Sequence, residues 1–320
     1  MPLDNSLFPT ILLTGCNGQL GFELTRSLSL HGNVVAMDRR QCDLSNLEGV
    51  RQVVRSMRPD IIVNAGAYTA VDLAEKETDL ANAINVLAPG VLAEEAAAMG
   101  ALVVHYSTDY VFDGEKAGAY VEADAPNPLS AYGKSKLGGE RLVQAATDNH
   151  LIFRTSWVYG LHGGNFLKSI VRAATVRESL NVVADQWGAP TPASLVADIT
   201  AFAVARYLNR AEQQFEPGIY HLTALGETNW CEYARHIVRY LLDNGVPLSL
   251  SPDRVHAISA KEYGSPAPRP ANSRLDTSRL RNAFGIAIPQ WSRDVDRTLR
   301  EFYDIAKFAL TDANWISERK

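Results

Sequence analysis

Cysteine is scarce in this chain. Cys16, Cys42 and Cys231 are the three among 320 residues, widely spaced and odd in number. That excludes a disulfide framework or a CxxC metal site and fits a reducing cytoplasm. Basic charge is not in excess: the net charge is −5, with no basic stripe and no array of aromatics interleaved with arginine. Nucleic acid is therefore set aside as a partner. No apolar run approaches the ~18 residues a membrane span needs. The opening MPLDNSLFP has neither the basic start nor the apolar core of a signal peptide, so no membrane is expected. Internal repeats and low-complexity tracts are absent too.

What is present is a strand–helix rhythm. The chain is 46% hydrophobic, enough for one large α/β domain or two smaller ones. Continuous apolar runs predict strands at 10–15, 33–38, 60–67, 101–108 and 150–156. Between them the spacing predicts helices at 18–30, 46–57, 79–99 and 130–146. Such alternation implies a parallel sheet with helices on both faces, an α/β, Rossmann-like, doubly wound fold. After about residue 160 the pieces shorten, with strands at 181–185 and 218–224 and helices at 192–207, 230–243 and 290–309. We read 1–160 as a dinucleotide-binding domain and 161–320 as a smaller, mainly substrate-binding region, partly woven back into the first.

The first strand ends in TGCNGQLG, with Gly15, Gly18 and Gly21. Glycines there permit a tight turn, close approach of a pyrophosphate and packing of the next helix, whose N-terminus faces the phosphates. The bland alternative is an ordinary strand–helix turn. Asp38 ends the second strand, where a carboxylate can accept hydrogen bonds from an adenosine ribose. Arg39 and Arg40 follow, and a guanidinium suits a 2′-phosphate. These opposed signals leave both NADPH and NADH open. Asp43 is a candidate partner for adenine, or else caps a turn near Ser45. Small residues Ala65, Gly66 and Ala67 after the third strand let a cofactor pass close to the backbone.

Residues 129–140, LSAYGKSKLGGE, place Lys136 one helical turn after Tyr132, so phenol and ammonium share a face. A surface pair would be unremarked. This helix, however, follows a strand that ends in Ser107 and Thr108, at the edge where ligands bind in open sheets. A phenol ionises near pH 10 and is a poor proton-transfer group at neutrality. A nearby lysine stabilises the phenolate, and Thr108 can hydrogen-bond the reacting oxygen.

With these motifs in place, the chain resembles the extended short-chain dehydrogenase/reductase superfamily. More narrowly, HYSTDYVFDG (105–114), NPLSAYGKSKLGGE (127–140), FRTSWVYG (153–160), DQWGAPT (185–191) and RPANSRLD (269–276) look like the dTDP-4-dehydrorhamnose reductase family. The likeness runs from about residue 10 to 300. It implies that Tyr132 is the catalytic acid, that Lys136 holds the nicotinamide ribose and lowers the Tyr132 pKa, and that Thr108 adjusts the hydrogen bonding. It implies a dinucleotide lined by Gly18, Gln19, Leu20, Asp38, Asp43, Leu44, Ala67, Tyr68 and Thr69. A dTDP-linked 4-keto-6-deoxy sugar would meet Thr108, Asp109, Trp157 and Asn165, with Arg269 a candidate for its diphosphate. The implied reaction is NAD(P)H-dependent reduction of a sugar C4 ketone, for polysaccharide precursor synthesis, by a monomer or homodimer. Some members bind Mg²⁺ through three glutamates at a dimer contact. The aligned positions here are Glu23, Ser194 and Ser292, so a tight metal site is not expected. Two rivals stay open: an epimerase or dehydratase on the same scaffold, and a non-catalytic reductase-like regulatory subunit.

Overall fold

The computed structural model describes residues 8–211 and 215–317, with side chains to residue 304. Residues 1–7, most of the stretch read above for a signal peptide, lie outside the described residues. Five strands follow the apolar runs: β1 (Thr10–Thr14), β2 (Asn33–Met37), β3 (Ile61–Asn64), β4 (Leu102–Thr108) and β5 (His150–Thr155). A sixth, β6 (Gly218–His221), comes from the C-terminal half and pairs with β5. The spatial order is β6-β5-β4-β3-β1-β2, and every pairing is parallel.

Alternation along the strands builds two cores. Ile11 and Leu13 of β1, with Val104 and Phe153, face helices α1 (Gln19–Leu28) and α6 (Ala193–Leu208). Leu12, Ile62, Val103 and Ile152 face α2 (Leu47–Met57), α3 (Ala88–Met99) and α4 (Ala131–Ala146). Both faces are covered, which is why these strands read as continuous apolar runs rather than alternating ones. The fold is the α/β, Rossmann-like, doubly wound one expected.

The expected helix at 79–99 is interrupted. It runs as Thr78–Asn82, a π-helical turn over Ala83–Leu87, then α3. Pro89 stands in the first turn of α3. Proline carries no backbone N–H and crowds the preceding turn, so the ladder there rearranges.

A separate apolar cluster joins α5 (Phe166–Val176), α7 (Trp230–Asp243) and α8 (Trp291–Ser317), through residues such as Leu167, Ile170, Tyr233, Ile237, Val295 and Leu299. Beside it, Leu180–Val183 pairs in parallel with Val255–Ile258. Among the described residues, no helix is long and apolar enough to cross a membrane.

Candidate active site

Strand order reverses between β1 and β3, and ligands in open parallel sheets bind at such a switch point. A cleft of about 890 Å³ opens there, walled by residues at the carboxyl ends of β1, β3, β4 and β5. Gly15, Gly18, Gln19 and Leu20 line one wall. Gly15 has φ +70°, and a Cβ on it would fall 2.6 Å from the Gly66 backbone. The α1 N-cap is Gly18, with no side-chain cap on the first-turn N–H groups. Those groups, at the positive end of the helix dipole, fit a pyrophosphate. Gly21 does not line the cleft. A Cβ there would lie 2.1 Å from the Gly15 carbonyl oxygen, so its role is to let α1 pack on its own turn.

At the outer end, Arg39, Asp43 and Leu44 reach the cleft and Asp38 does not. The Asp38 carboxylate accepts from the backbone N–H groups of Arg40 (2.9 Å) and Gln41 (3.3 Å) and from Asn17 Nδ2 (3.3 Å). The expected ribose ligand thus closes its own turn, an Asx turn after β2. Asp43 is held below the usual carboxylate range by the Ser45 backbone N–H and hydroxyl, with Arg39 adding its charge. Ala67, Tyr68 and Thr69 form the next stretch of wall. Asn85, aimed by the π-turn, accepts from Tyr68 N (2.8 Å) and donates to the Tyr68 carbonyl (3.0 Å) and Ser135 Oγ (3.0 Å). Nothing in the apolar pattern of 79–99 marked Asn85, because its role depends on a local break in that helix.

Tyr132, Lys136, Thr108 and Asp109 meet on the opposite wall. Ser130 caps α4 by accepting from Gly133 N (3.1 Å), and Glu75 accepts from Ala131 N (2.8 Å), which fixes the first turn carrying Tyr132. Burial raises the Tyr132 phenol above its usual value. The Asp109 charge adds to this, and a hydrogen bond with Thr108 draws it partway back. Lys136 Nζ lies 3.4 Å from His105 Nε2. Burial pushes Lys136 down to about 8, against the charge of Glu140 one turn on. Burial pushes Asp109 up to about 7, with hydrogen bonds from Ser273 and Thr108 opposing. Asp109 Oδ2, Ser107 Oγ and Thr155 Oγ1 are buried polar atoms of the cleft residues without a protein partner among the described residues. Such atoms are what a polar ligand satisfies.

Trp157 reaches the cleft in a left-handed conformation (φ 49°) and stacks on Trp230, ring centroids 3.6 Å apart. Trp230 was read only as the start of a helix, and no spacing signal tied it to Trp157. Asn165 lies outside the lining. It caps α5 and donates to Gln19 Oε1 (2.8 Å) and the Gly160 carbonyl (2.7 Å), tying loop 160–165 to the glycine turn. Arg269 is also committed, to Asp72 at 2.9 Å.

The positions aligned with a metal site do not fit a divalent cation. Glu23 stands 3.6 Å from Arg26, and the Ser194 hydroxyl accepts from Arg297 at 3.1 Å. Asp198 and Glu301 line the same hollow, but Arg26 also pairs with Asp198 at 2.9 Å and Arg297 with Glu301 at 3.6 Å, and carboxylates already paired with guanidiniums make a poor cage for a hard cation. Among the described residues no group of three metal-ligating side chains converges.

The model of the RmlD substrate binding domain matches residues 9–304. The chain is 46% identical over 297 residues to dTDP-4-dehydrorhamnose reductase of Escherichia coli strain K12, covering 92% of this chain and 98% of that one. It is 45% identical over 294 residues to the enzyme of the same name from Burkholderia thailandensis, covering 91% and 98%. Among solved structures, dTDP-4-dehydrorhamnose reductase from Bacillus anthracis in complex with NADP superposes with a TM-score of 0.84 at 34% identity, covering 92% of this chain and 99% of that one.

Proposed function

The chain belongs to the RmlD substrate-binding-domain family, and from that premise we propose an NAD(P)H-dependent oxidoreductase that reduces the C4 ketone of dTDP-4-dehydro-L-rhamnose to dTDP-L-rhamnose. The observation that carries the reading is one cleft with an uncapped helix N-terminus on one wall and Tyr132, Lys136 and Thr108 on the other.

When bound, the nicotinamide supplies a hydride to C4. Tyr132 gives its proton to the C4 oxygen as negative charge develops there. Its raised pKa suits a donor that must stay protonated until the alkoxide forms. Lys136, buried one turn away in the cleft wall, reaches the nicotinamide ribose and steadies the phenolate left behind. Thr108 orients the ketone, and the unpartnered Asp109 Oδ2 accepts from a sugar hydroxyl. The Trp157–Trp230 pair packs on the sugar ring. At the adenosine end, Arg39 in the wall and Asp38 withdrawn into its turn favour NADPH over NADH.

The same reading divides the chain into a cofactor-binding part, residues 1–160, and a mainly substrate-binding part, 161–320, which returns α6 and β6 to the sheet. It places the work in the cytoplasm, where three free cysteines stay reduced.

The test is NADPH consumption followed by absorbance, with dTDP- and UDP-linked 4-keto-6-deoxy sugars offered in turn and the product configuration read by NMR. Turnover with the dTDP-linked ketone and release of oxidised cofactor are expected. Tightly retained cofactor with isomerised sugar would mark an epimerase, and no consumption with any ketone would mark a binding subunit.

A further inference from the structure

A buried polar chain runs from Lys136 behind the catalytic helix, and its other members have no part in the mechanism above. Lys136 Nζ lies 3.4 Å from His105 Nε2. His105 Nδ1 lies 3.2 Å from the side-chain nitrogen of Asn64. The Thr14 hydroxyl donates to Asn64 Oδ1 at 2.7 Å, and Thr14 Oγ1 accepts from Gly66 N at 3.4 Å. His105 and Thr14 are fully buried, and Asn64 and Lys136 are 2% exposed. The chain thus crosses the sheet from β4 through β3 to β1, and ends on a glycine that lines the cleft.

We propose that His105 is a positioning residue for the reductase reading above: held neutral in the sheet, it accepts a hydrogen bond from the Lys136 ammonium and so sets that group's place and proton affinity. The rest of the chain sets the direction of this bond. For Nε2 to accept, Nδ1 must carry the ring proton, and that proton needs an acceptor. The structure places the Asn64 nitrogen toward His105 and its oxygen toward Thr14; the amide serves once turned end for end, its oxygen facing His105 and its nitrogen donating to Thr14, and that orientation fixes the imidazole tautomer. If Lys136 loses its proton, the amide can reverse and Nε2–H then donates to the neutral amine. The hydrogen-bonding order of four buried groups therefore follows one charge. Burial, and then the Lys136 charge, hold His105 well below its usual pKa, which keeps it neutral and free to accept.

Other charges near Lys136 are accounted for. Tyr132 and Glu140 share its helix, and Glu140 is bound bidentately by Arg154 of β5, at 2.9 and 2.6 Å. Asp109, at the end of β4, acts on Tyr132. From β3 and the π-turn the neighbours are the uncharged Asn64 and Asn85. His105 is thus the one side chain among the described residues recorded within hydrogen-bonding distance of the Lys136 ammonium.

The inference rests on the proposed function for its meaning but not for its test. NADPH binding, followed by nicotinamide fluorescence against pH, needs no turnover. Wild-type affinity should fall as pH rises through about 8, where Lys136 loses its proton. His105→Phe keeps a flat ring and removes the acceptor, so the ammonium is less favoured and the fall should move down by about one pH unit. His105→Gln, which returns an acceptor near the Nε2 position, should restore at least half of that shift. Thr14→Val, remote from Lys136, should move it the same way by less, and decides the matter if the Phe variant does not fold. A folded Phe variant with an unmoved profile, or no rescue by Gln, would overturn the proposal. A wild type that binds NADPH with this profile yet reduces no keto-sugar would sink the functional reading alone.

Discussion

Lys136 is the residue whose charge state the account depends on most. Burial brings it down to about 8, so it is charged below that pH and neutral above it. kcat/KM, which reports the free protein, should therefore decline on the alkaline side from about pH 8. A profile flat to pH 10 would show that Lys136 keeps its proton or has no role. Arg39 and Asp38 make a second test. With Arg39 in the wall, Arg39→Ala should shift preference toward NADH by roughly tenfold, about 1.4 kcal/mol. Asp38→Ala should act mainly by loosening the turn it closes, raising KM for both cofactors. Parallel kinetics with the two cofactors decide both points. Most cleft residues were legible from motif and spacing. Spacing alone selects nothing, since Tyr303 and Lys307 repeat it in the last helix; the place after the fourth strand does the selecting. What stayed illegible at this scale were the commitments of polar groups. A sequence shows that Asp38 and Asn165 can bind a ligand, not that backbone N–H groups, Gln19 and a carbonyl already occupy them.

The glycines around Lys136 belong to the scale of the helix. A Cβ on Gly133 would fall 2.2 Å from the Tyr110 carbonyl oxygen, and one on Gly139 2.1 Å from that of Asn85. Close approach of α4 to the π-turn and to the end of β4 is what carries Tyr132 and Lys136 into the cleft. Gly139→Ala should therefore destabilise by roughly 1–3 kcal/mol or more, because backbone must give way. Gly118→Ala, with open space around it, should stay within about 0.5 kcal/mol. Urea unfolding midpoints of the two variants check this. Helix and strand existence was readable wherever apolar periodicity ran for more than one or two turns. The π-turn was not, because composition does not record a rearranged ladder. The two-residue pairings Val158–Tyr159 with Thr191–Pro192 and Trp187–Gly188 with Thr228–Asn229 were not either, being too short to carry a pattern.

At the scale of the whole chain, the parallel sheet was legible from rhythm alone, whereas the neighbour of β6 was not. That strand lies beyond two helices from β5, and its place is set by long-range packing of its Tyr220 against Phe153 rather than by local sequence. The aligned metal positions also gain meaning only in the folded molecule, where Arg26 and Arg297 stand among them. Chelation by EDTA should leave activity and oligomeric mass unchanged by light scattering, and a loss reversed by Mg²⁺ would overturn that. The central claim is that this cleft delivers a proton from Tyr132 as a ketone is reduced. Its most direct test is the turnover of Tyr132→Phe on dTDP-4-dehydro-L-rhamnose, measured beside its NADPH dissociation constant. The account predicts kcat lower by roughly 10²–10⁴-fold with NADPH affinity nearly unchanged; a Phe variant that turns over like the wild type would contradict it.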